Sequence, residues 1–265
     1  MDKTKLLDKC AANGEERLLL GRVLDKLEQA QRKNIPACTG FLSPAEQLSA
    51  QALVNAAGGG DDCVFTGGFE GAERKLLCFL PDWLDRADFL ATQVPIRFLR
   101  VTHRPEFELT HRDYLGSLMG LGLVREKLGD LLVRPEGCDL AAAESVAEFI
   151  LQNWVNAGRA PLHVEELAAE DLEIPQQQVK EIRDTVMSLR LDAVAASGFG
   201  LSRTRAAELI AAGRVQVNHR DCVKPDKLLA QGDVVTARGL GKFEVAQLGG
   251  LSKKGRTGLI LHRYL

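Results

Sequence analysis

Residues 190–235 read RLDAVAASGFGLSRTRAAELIAAGRVQVNHRDCVKPDKLLAQGDVV. This pattern predicts two short helices, a strand, a tight turn and a second strand. Ser202 is a favourable N-cap for the second helix, and Gly213 is a favourable residue to end it. Arg203 and Arg205 occupy the first turn of that helix, where the free N–H groups and the helix dipole disfavour cations. Two arginines at a helix start therefore indicate an anionic ligand such as a backbone phosphate. The alternative is that they are surface arginines held by Glu208 or Asp192.

The order RLD, SR, apolar helix, G-x-V-x-V-N, K-P and GD in this stretch resembles the S4-type RNA-binding domain. The match holds at several fixed spacings, so a chance resemblance is disfavoured. One departure is His219, which stands where the domain usually has glycine after Asn218, and it leaves the type of turn open. The resemblance implies RNA-binding roles for Ser202, Arg203, Arg205, Arg214, Asn218, Lys224 and Lys227.

The charge of the chain is segregated along its length. Residues 183–265 hold 14 Lys and Arg against 7 Asp and Glu, a balance of +7. The whole chain has a formal net charge of −2, which leaves −9 for residues 1–182. Because the basic excess coincides with the S4-like stretch, it favours a polyanion-binding C-terminal domain on a more acidic body.

Cysteine usage and hydropathy exclude several classes of protein. The six cysteines never form a C-x-x-C pair, and the five histidines are scattered. The sequence therefore predicts neither a zinc site nor a disulfide framework, and it carries no cofactor signature. No apolar run reaches the length of a signal peptide or a membrane span, so we expect a cytoplasmic protein without a membrane partner.

Residues 1–82 are predicted to form a small α+β domain. Asn13 and Ser43 each precede a helical pattern with a glutamate three residues later, which is the signature of a capping box. Two apolar runs, residues 64–66 and 76–80, predict strands. The glycines in this region do not fit a phosphate-binding loop and are interpreted as turn and helix-stop residues.

Residues 83–180 follow the order β-α-β-β-α-β. The predicted helices span residues 111–121 and 144–156, and the order is that of a ferredoxin-like sandwich, the topology also used by RNA-recognition motifs. The third strand, GCDLAAAE, lacks the stacking aromatics of such a motif. RNA binding through this sheet and a purely structural role both remain open. Gly116 and Gly120 share one helix face, which predicts a closely packed neighbour there.

Two further stretches, GGFEGAERK at residues 67–75 and HRDYLGSLMGLGLVREKLGDLLV at residues 111–133, together with the S4-like domain, resemble the bacterial YlmH family over nearly the whole chain. The resemblance implies an α+β fold with an N-terminal α+β domain (1–82), a central ferredoxin-like RNA-binding domain (83–180) and an S4-type domain (181–265). Possible second RNA contacts are Arg112, Arg125 and Lys127.

The family implies a non-enzymatic, monomeric factor that binds ribosomal RNA of the large subunit and tRNA. In that role it would support the alanine tailing of stalled nascent chains by an RqcH-like factor during ribosome-associated quality control. Two alternatives remain. S4-type domains accompany pseudouridine synthases and methyltransferases, but this sequence has no catalytic or cofactor signature beside the domain. The acidic N-terminal body is also compatible with a protein-interaction scaffold in cell division.

Overall fold

The structure is a computed structural model that describes residues 3–59, 62–175, 178–251 and 255–264. The chain divides into two compact units, Met1–Pro175 and Gln176–Leu265. Both combine helices with antiparallel sheets, which confirms the predicted α+β class. The further division of the first unit into two domains stays a prediction.

The N-terminal part of the first unit contains four helices and a three-stranded sheet. Their bounds are α1 (Lys3–Cys10), α2 (Gly14–Lys33), β1 (Ala37–Cys38), α3 (Pro44–Ala56), β2 (Cys63–Thr66), β3 (Leu76–Phe79) and α4 (Arg86–Thr92). Asn13 caps α2 by accepting from the Glu16 N–H at 2.9 Å, and Ser43 with Glu46 forms the capping box of α3. The two predicted helices and two predicted strands are therefore confirmed.

A disulfide joins Cys38 of β1 to Cys78 of β3. The two strands pair antiparallel, and the register places these cysteines opposite each other with their Cα atoms 4.0 Å apart. The sequence analysis, which predicted no disulfide, is wrong for this pair. The two residues are 40 apart in sequence, so only the strand pairing brings them together.

The central part of the first unit has four main strands and two helices. Their bounds are β4 (Ile96–Thr102), α5 (His111–Gly120), β5 (Leu128–Arg134), β6 (Gly137–Ala143), α6 (Glu144–Asn153), the short hairpin β7 (Asn156–Ala157) and β8 (Ala160–Pro161), and β9 (His163–Leu167). The sheet order is β5-β6-β4-β9 with every pairing antiparallel, which confirms the predicted ferredoxin-like topology. Helix α6 ends at Asn153, three residues before the predicted end, because the chain enters the hairpin.

The first unit is built in four layers. One face of the central sheet packs against α5 and α6 through Leu99, Leu140, Tyr114 and Ile150. The opposite face, represented by Phe98 and Ala141, packs against Phe41, Cys78 and Phe89 of the N-terminal part. The order of layers is therefore helices, sheet, sheet, helices. RNA-recognition motifs bind RNA on the sheet face that lies opposite the helices. In this protein the N-terminal part covers the half of that face around Phe98 and Ala141.

Three glycines of the first unit show where the backbone packs closely against a neighbour and where it does not. A Cβ atom on Gly129 would lie 2.8 Å from the Phe41 ring, so this close packing requires glycine. Gly116 and Gly120, in contrast, have nothing within 4 Å of an added Cβ among the described residues. The prediction of a close neighbour at that helix face is wrong, since the face has no partner that approaches the backbone.

The second unit contains a six-stranded sheet and two helices. Their bounds are β10 (Val179–Val186), α7 (Leu191–Phe199), α8 (Arg203–Ala211), β11 (Val215–Val217), β12 (Arg220–Asp221), β13 (Val234–Ala237), β14 (Gly241–Leu251) and β15 (Thr257–Tyr264). The two helices cover one face of the sheet, and Gly198 lies so close to the Phe243 ring that an added Cβ would clash at 2.5 Å. The predicted helices and strands are confirmed, whereas β10, β12, β14 and β15 were not predicted.

The turn between β11 and β12 has Asn218 at φ 50° and His219 at φ 62°. Val217 pairs with Arg220 across these two residues. Two left-handed residues in a two-residue hairpin loop define a type I′ turn. Histidine instead of glycine at position 219 therefore does not change the turn type. The left-handed conformation of His219 is energetically unfavourable, because its Cβ atom crowds the backbone.

Candidate nucleic-acid interface

Helix α8 presents two arginines at its start. Ser202 caps the helix, and its side chain accepts a hydrogen bond from the backbone N–H of Arg205 at 3.2 Å. The inward face of the helix is an apolar stripe of Ala206, Leu209 and Ile210. The side chains of Arg203 and Arg205 lie outside this stripe and are each 57% exposed. Both are therefore accessible to a ligand.

A buried carboxylate ties the starts of α7 and α8 together. Asp192 is only 5% exposed and accepts hydrogen bonds from Arg190 at 3.1 and 3.2 Å and from Arg203 at 3.2 Å. Burial raises the pKa of Asp192, but the hydrogen bonds from the two guanidinium groups outweigh it, and the pKa lies below its ordinary value. Asp192 is thus ionised and orients two cations while it neutralises only one of them.

Arg205 has a weaker partner. It donates to Glu208, three residues along the same helix, at 2.8 Å, and both side chains are 57% exposed. Exposed pairs of this kind contribute only about 0–1 kcal/mol to stability. An approaching phosphate can therefore replace Glu208 as the partner of Arg205 at little energetic cost.

A turn at residues 224–227 delivers two lysines to the start of α7. The carbonyl of Pro225 accepts from the Asp192 N–H at 3.0 Å, and the carbonyl of Lys227 accepts from the Leu191 N–H at 2.7 Å. These bonds satisfy free N–H groups of the first helical turn. The backbone of this turn is consequently fixed at the start of α7, and its two lysines, Lys224 and Lys227, are exposed.

Two of four neighbouring cations, Arg190 and Arg203, bond the buried carboxylate directly, and the turn that carries the other two, Lys224 and Lys227, docks on the start of α7. We call Arg190, Arg203, Lys224 and Lys227, together with Asp192, the α7 cluster. Sequence reasoning named three of the cations and missed Arg190. The sequence contained a signal for Arg190, because this residue directly precedes Leu191 and Asp192, where α7 begins. In the structure it takes the N-cap position with extended backbone angles.

Two predicted residues lie elsewhere in the second unit. Arg214 follows the C-terminal end of α8, a helix about 13 Å long that starts at Arg203, and donates to the carbonyl of Arg238 at 3.3 Å. The Asn218 side chain donates to Asp233 at 2.8 Å and accepts from the Val234 N–H at 2.9 Å. Asn218 thus closes the β11–β13 pairing, and its amide is already engaged.

The possible second contacts in the first unit differ in accessibility. Arg112 is exposed in the first turn of α5, and Lys127 donates to Ser145 at 3.1 Å. Arg125 is partly buried and donates to the carbonyls of Leu128 and Gly129 at 2.8 and 3.1 Å. Burial, together with the charge of the neighbouring Arg74, lowers the pKa of Arg125 to about 10. The donors of Arg125 therefore stabilise this loop.

The Arg74 guanidinium links the two stretches that resemble the YlmH family. Arg74, from the first stretch, donates to the carbonyls of Phe41 and Leu128 at 2.9 and 3.0 Å. Asp130, from the second stretch, accepts from the backbone N–H groups of Glu73 and Arg74 at 2.6 and 3.1 Å. The two stretches meet at the contact between the N-terminal and central parts, where they have a structural role.

The remaining half of the central sheet face carries an ion-pair network. Asp139 is fully buried and accepts from Arg100 at 2.8 and 2.9 Å, from Arg134 at 2.9 Å and from the Glu173 N–H at 3.0 Å. The hydrogen bonds that Arg100 donates to Asp139 raise the pKa of Arg100. Glu173 also pairs with both arginines. Both arginines are therefore already paired with carboxylates, which disfavours them as phosphate ligands.

Among residues 3–59, 62–175, 178–251 and 255–264, no group of three or more His, Cys, Asp or Glu side chains is arranged to hold a metal ion. Within the same residues, no helix is both long and apolar enough to cross a bilayer.

Each of the two units contains a stretch that matches a known protein family. A family model described as "S4 domain" matches residues 189–235, and one described as "Putative RNA-binding domain in YlmH" matches residues 88–171. The chain is 32% identical over 252 residues to ribosome-associated protein quality control protein P2 of Bacillus subtilis (strain 168), which covers 94% of this chain and 95% of that protein. A solved structure, cell division protein ylmH from Streptococcus pneumoniae, is 23% identical, with 62% of this chain and 98% of that chain covered at a TM-score of 0.49.

Proposed function

We propose that this chain, which belongs to the YlmH family of RNA-binding, ribosome-associated quality control proteins, binds ribosomal RNA of the large subunit. Its S4 domain makes this contact through the α7 cluster. The observation that carries the proposal is that the ionised, buried Asp192 bonds Arg190 and Arg203 while the turn that carries Lys224 and Lys227 docks on the same helix start. A compact set of cations beside a helix start suits phosphate oxygens, which dominate affinity for nucleic acids.

The proposed factor is non-enzymatic and cytoplasmic and acts as a monomer. Its partners are large-subunit ribosomal RNA, tRNA and an RqcH-like factor, and its role is to support alanine tailing of stalled nascent chains. The name of the Bacillus subtilis relative and the two matched domain models support a ribosomal role. The burial of the central sheet face, represented by Phe98 and Ala141, favours the S4 domain over this sheet as the main RNA contact.

Sedimentation tests the proposal directly. The tagged chain is expressed in bacteria, and a lysate is separated on a sucrose gradient with and without added ribonuclease. We expect the protein to sediment with the large subunit, and to remain at the top of the gradient once the RNA is digested. Migration at the top in both gradients, with the protein intact, contradicts the proposal.

A further inference from the structure

A second feature of the second unit, called the S4 unit below because it holds the S4 domain, lies beside the α7 cluster and shares Arg203 with it. A cavity of about 510 Å³ opens between the end of β10, the outer side of α7 and the start of α8. Its walls are apolar and are contributed by Val186, Met187, Ala193, Ala196 and Leu201. The volume falls in the range of pockets that hold small ligands, which run from about 300 to 1,000 Å³.

One wall of the cavity is an exposed thioether. The Met187 side chain is 66% exposed although it borders an apolar cavity. Methionine is flexible and polarisable, and it packs readily against flat ring systems. An exposed methionine beside small alanine side chains therefore offers an apolar surface, called the slot below, on which a planar group can pack.

Polar groups stand at the edges of the slot. Arg203 lines one side and also belongs to the α7 cluster. Arg256 lines another side and donates to the Thr185 hydroxyl at 3.0 Å and to the Thr185 carbonyl. Asp184 accepts from the Ser197 hydroxyl at 2.7 Å within the same lining. Two guanidinium groups suit phosphates, and the carboxylate and hydroxyl suit the edge of a heterocyclic base.

We propose that this cavity takes one unstacked nucleotide of the bound RNA, with the base between Met187 and the alanines of α7 and the adjoining phosphates on Arg203 and Arg256. The inference rests on the proposed function, because Arg203 joins the cavity to the phosphate-binding cluster. Bases that are splayed out of a helix are the usual targets of specific RNA recognition, and apolar side chains can stack on them. The S4 unit then reads the shape of its RNA as well as its charge.

The test compares two RNA hairpins that differ by one bulged adenosine. Their affinities for the full chain are measured by fluorescence anisotropy at one fixed salt concentration. We expect the wild-type chain to prefer the bulged hairpin by about tenfold, the effect of stacking one base. Met187→Ala, which removes the exposed wall, and Ala196→Leu, which fills the slot, should each lose most of this preference while affinity for the paired hairpin is retained. The control is Val179→Ala, at the far end of β10 from the cavity. It removes an apolar side chain at a residue that is 44% exposed, and it should change the affinity for neither hairpin.

The possible results separate this inference from the proposed function. The nucleotide pocket is overturned if the wild-type chain binds both hairpins equally, or if the pocket variants keep the preference for the bulged hairpin. Neither result contradicts RNA binding by the α7 cluster. A chain that binds neither hairpin and does not sediment with the large subunit overturns both. Circular dichroism verifies folding. If Ala196→Leu fails to fold, Met187→Ala decides the question, because that side chain lies largely outside the core.

Discussion

The carboxylate of Asp192 accepts a hydrogen bond from Arg203 at 3.2 Å and thereby connects the first turn of α7 to the first turn of α8. This bond explains how an arginine is tolerated at a helix start, where a cation is ordinarily unfavourable. It also fixes one guanidinium of the α7 cluster before any ligand arrives, so less conformational entropy is lost on binding.

Changing both Arg203 and Arg205 to Ala is expected to weaken large-subunit binding and to reduce its salt dependence. Each lost phosphate contact lowers the slope of log affinity against log salt by about one unit. Binding is measured across a salt series, with circular dichroism to verify folding. Arg183→Ala is the matched control, because Arg183 is an exposed arginine of the same unit that pairs with Glu181. A folded double variant with unchanged affinity and slope places the RNA elsewhere.

Asp192→Asn is expected to destabilise the S4 unit by about 1–3 kcal/mol at neutral pH, because two guanidinium groups lose a charged acceptor. The folded-state pKa of Asp192 is lowered, so its stabilisation is present above the ordinary aspartate pKa of about 3.9 and is lost as the pH falls through the lowered value. Urea unfolding at several pH values checks this. The difference between wild type and variant should shrink in acid. Glu208→Gln, at an exposed pair, should show little effect at any pH.

Asp139→Asn is expected to destabilise the first unit by about 3 kcal/mol or more. The substitution leaves Arg100 and Arg134 without their buried counter-charge, and breaking a buried pair typically costs about 3–5 kcal/mol. Glu166→Gln serves as the comparison, since Glu166 pairs with Arg97 at the surface and such pairs contribute about 0–1 kcal/mol. Equal midpoints of thermal unfolding for the two variants contradict the prediction.

The Cys38–Cys78 disulfide is expected to stabilise the first unit by about 2–4 kcal/mol, because it closes a loop between residues 40 apart in sequence. Peptide mapping without reductant should recover the two cysteines as one linked species. Reductant should lower the unfolding midpoint of wild type but not that of Cys78→Ala. Cys10→Ser, at a free cysteine, should keep the full response to reductant. Recovery of both Cys38 and Cys78 as free thiols after air oxidation contradicts the assignment.

His219→Gly is expected to stabilise the S4 unit by about 0.5–1 kcal/mol, since glycine adopts the left-handed conformation at this position without a steric penalty. Asn218→Gly at the neighbouring left-handed position should destabilise instead, because it removes the side-chain bonds to Asp233 and Val234. Chemical denaturation of the two variants gives the comparison. Stabilisation by both substitutions would show that the Asn218 side chain contributes nothing to the turn.

Several features of this protein depend on local sequence and were predictable from it. Ser202 and Asn13 cap helices because capping involves only neighbouring backbone groups. The exposed positions of Arg203 and Arg205 follow from the helical period, and the β-α-β-β-α-β order follows from apolar periodicity.

Tertiary structure alone decided the rest, because those features join residues that are distant in sequence. Strand register, which a local pattern does not specify, paired Cys38 with Cys78. The packing of one sheet on the other covered Phe98. The docking of a turn on a helix start fixed the backbone that carries Lys224 and Lys227 at the start of α7. Sequence by itself determined which side chains could bind RNA. The packing of α7, α8 and that turn determined which of them share one site, since convergence requires the backbone contacts that only the folded chain supplies.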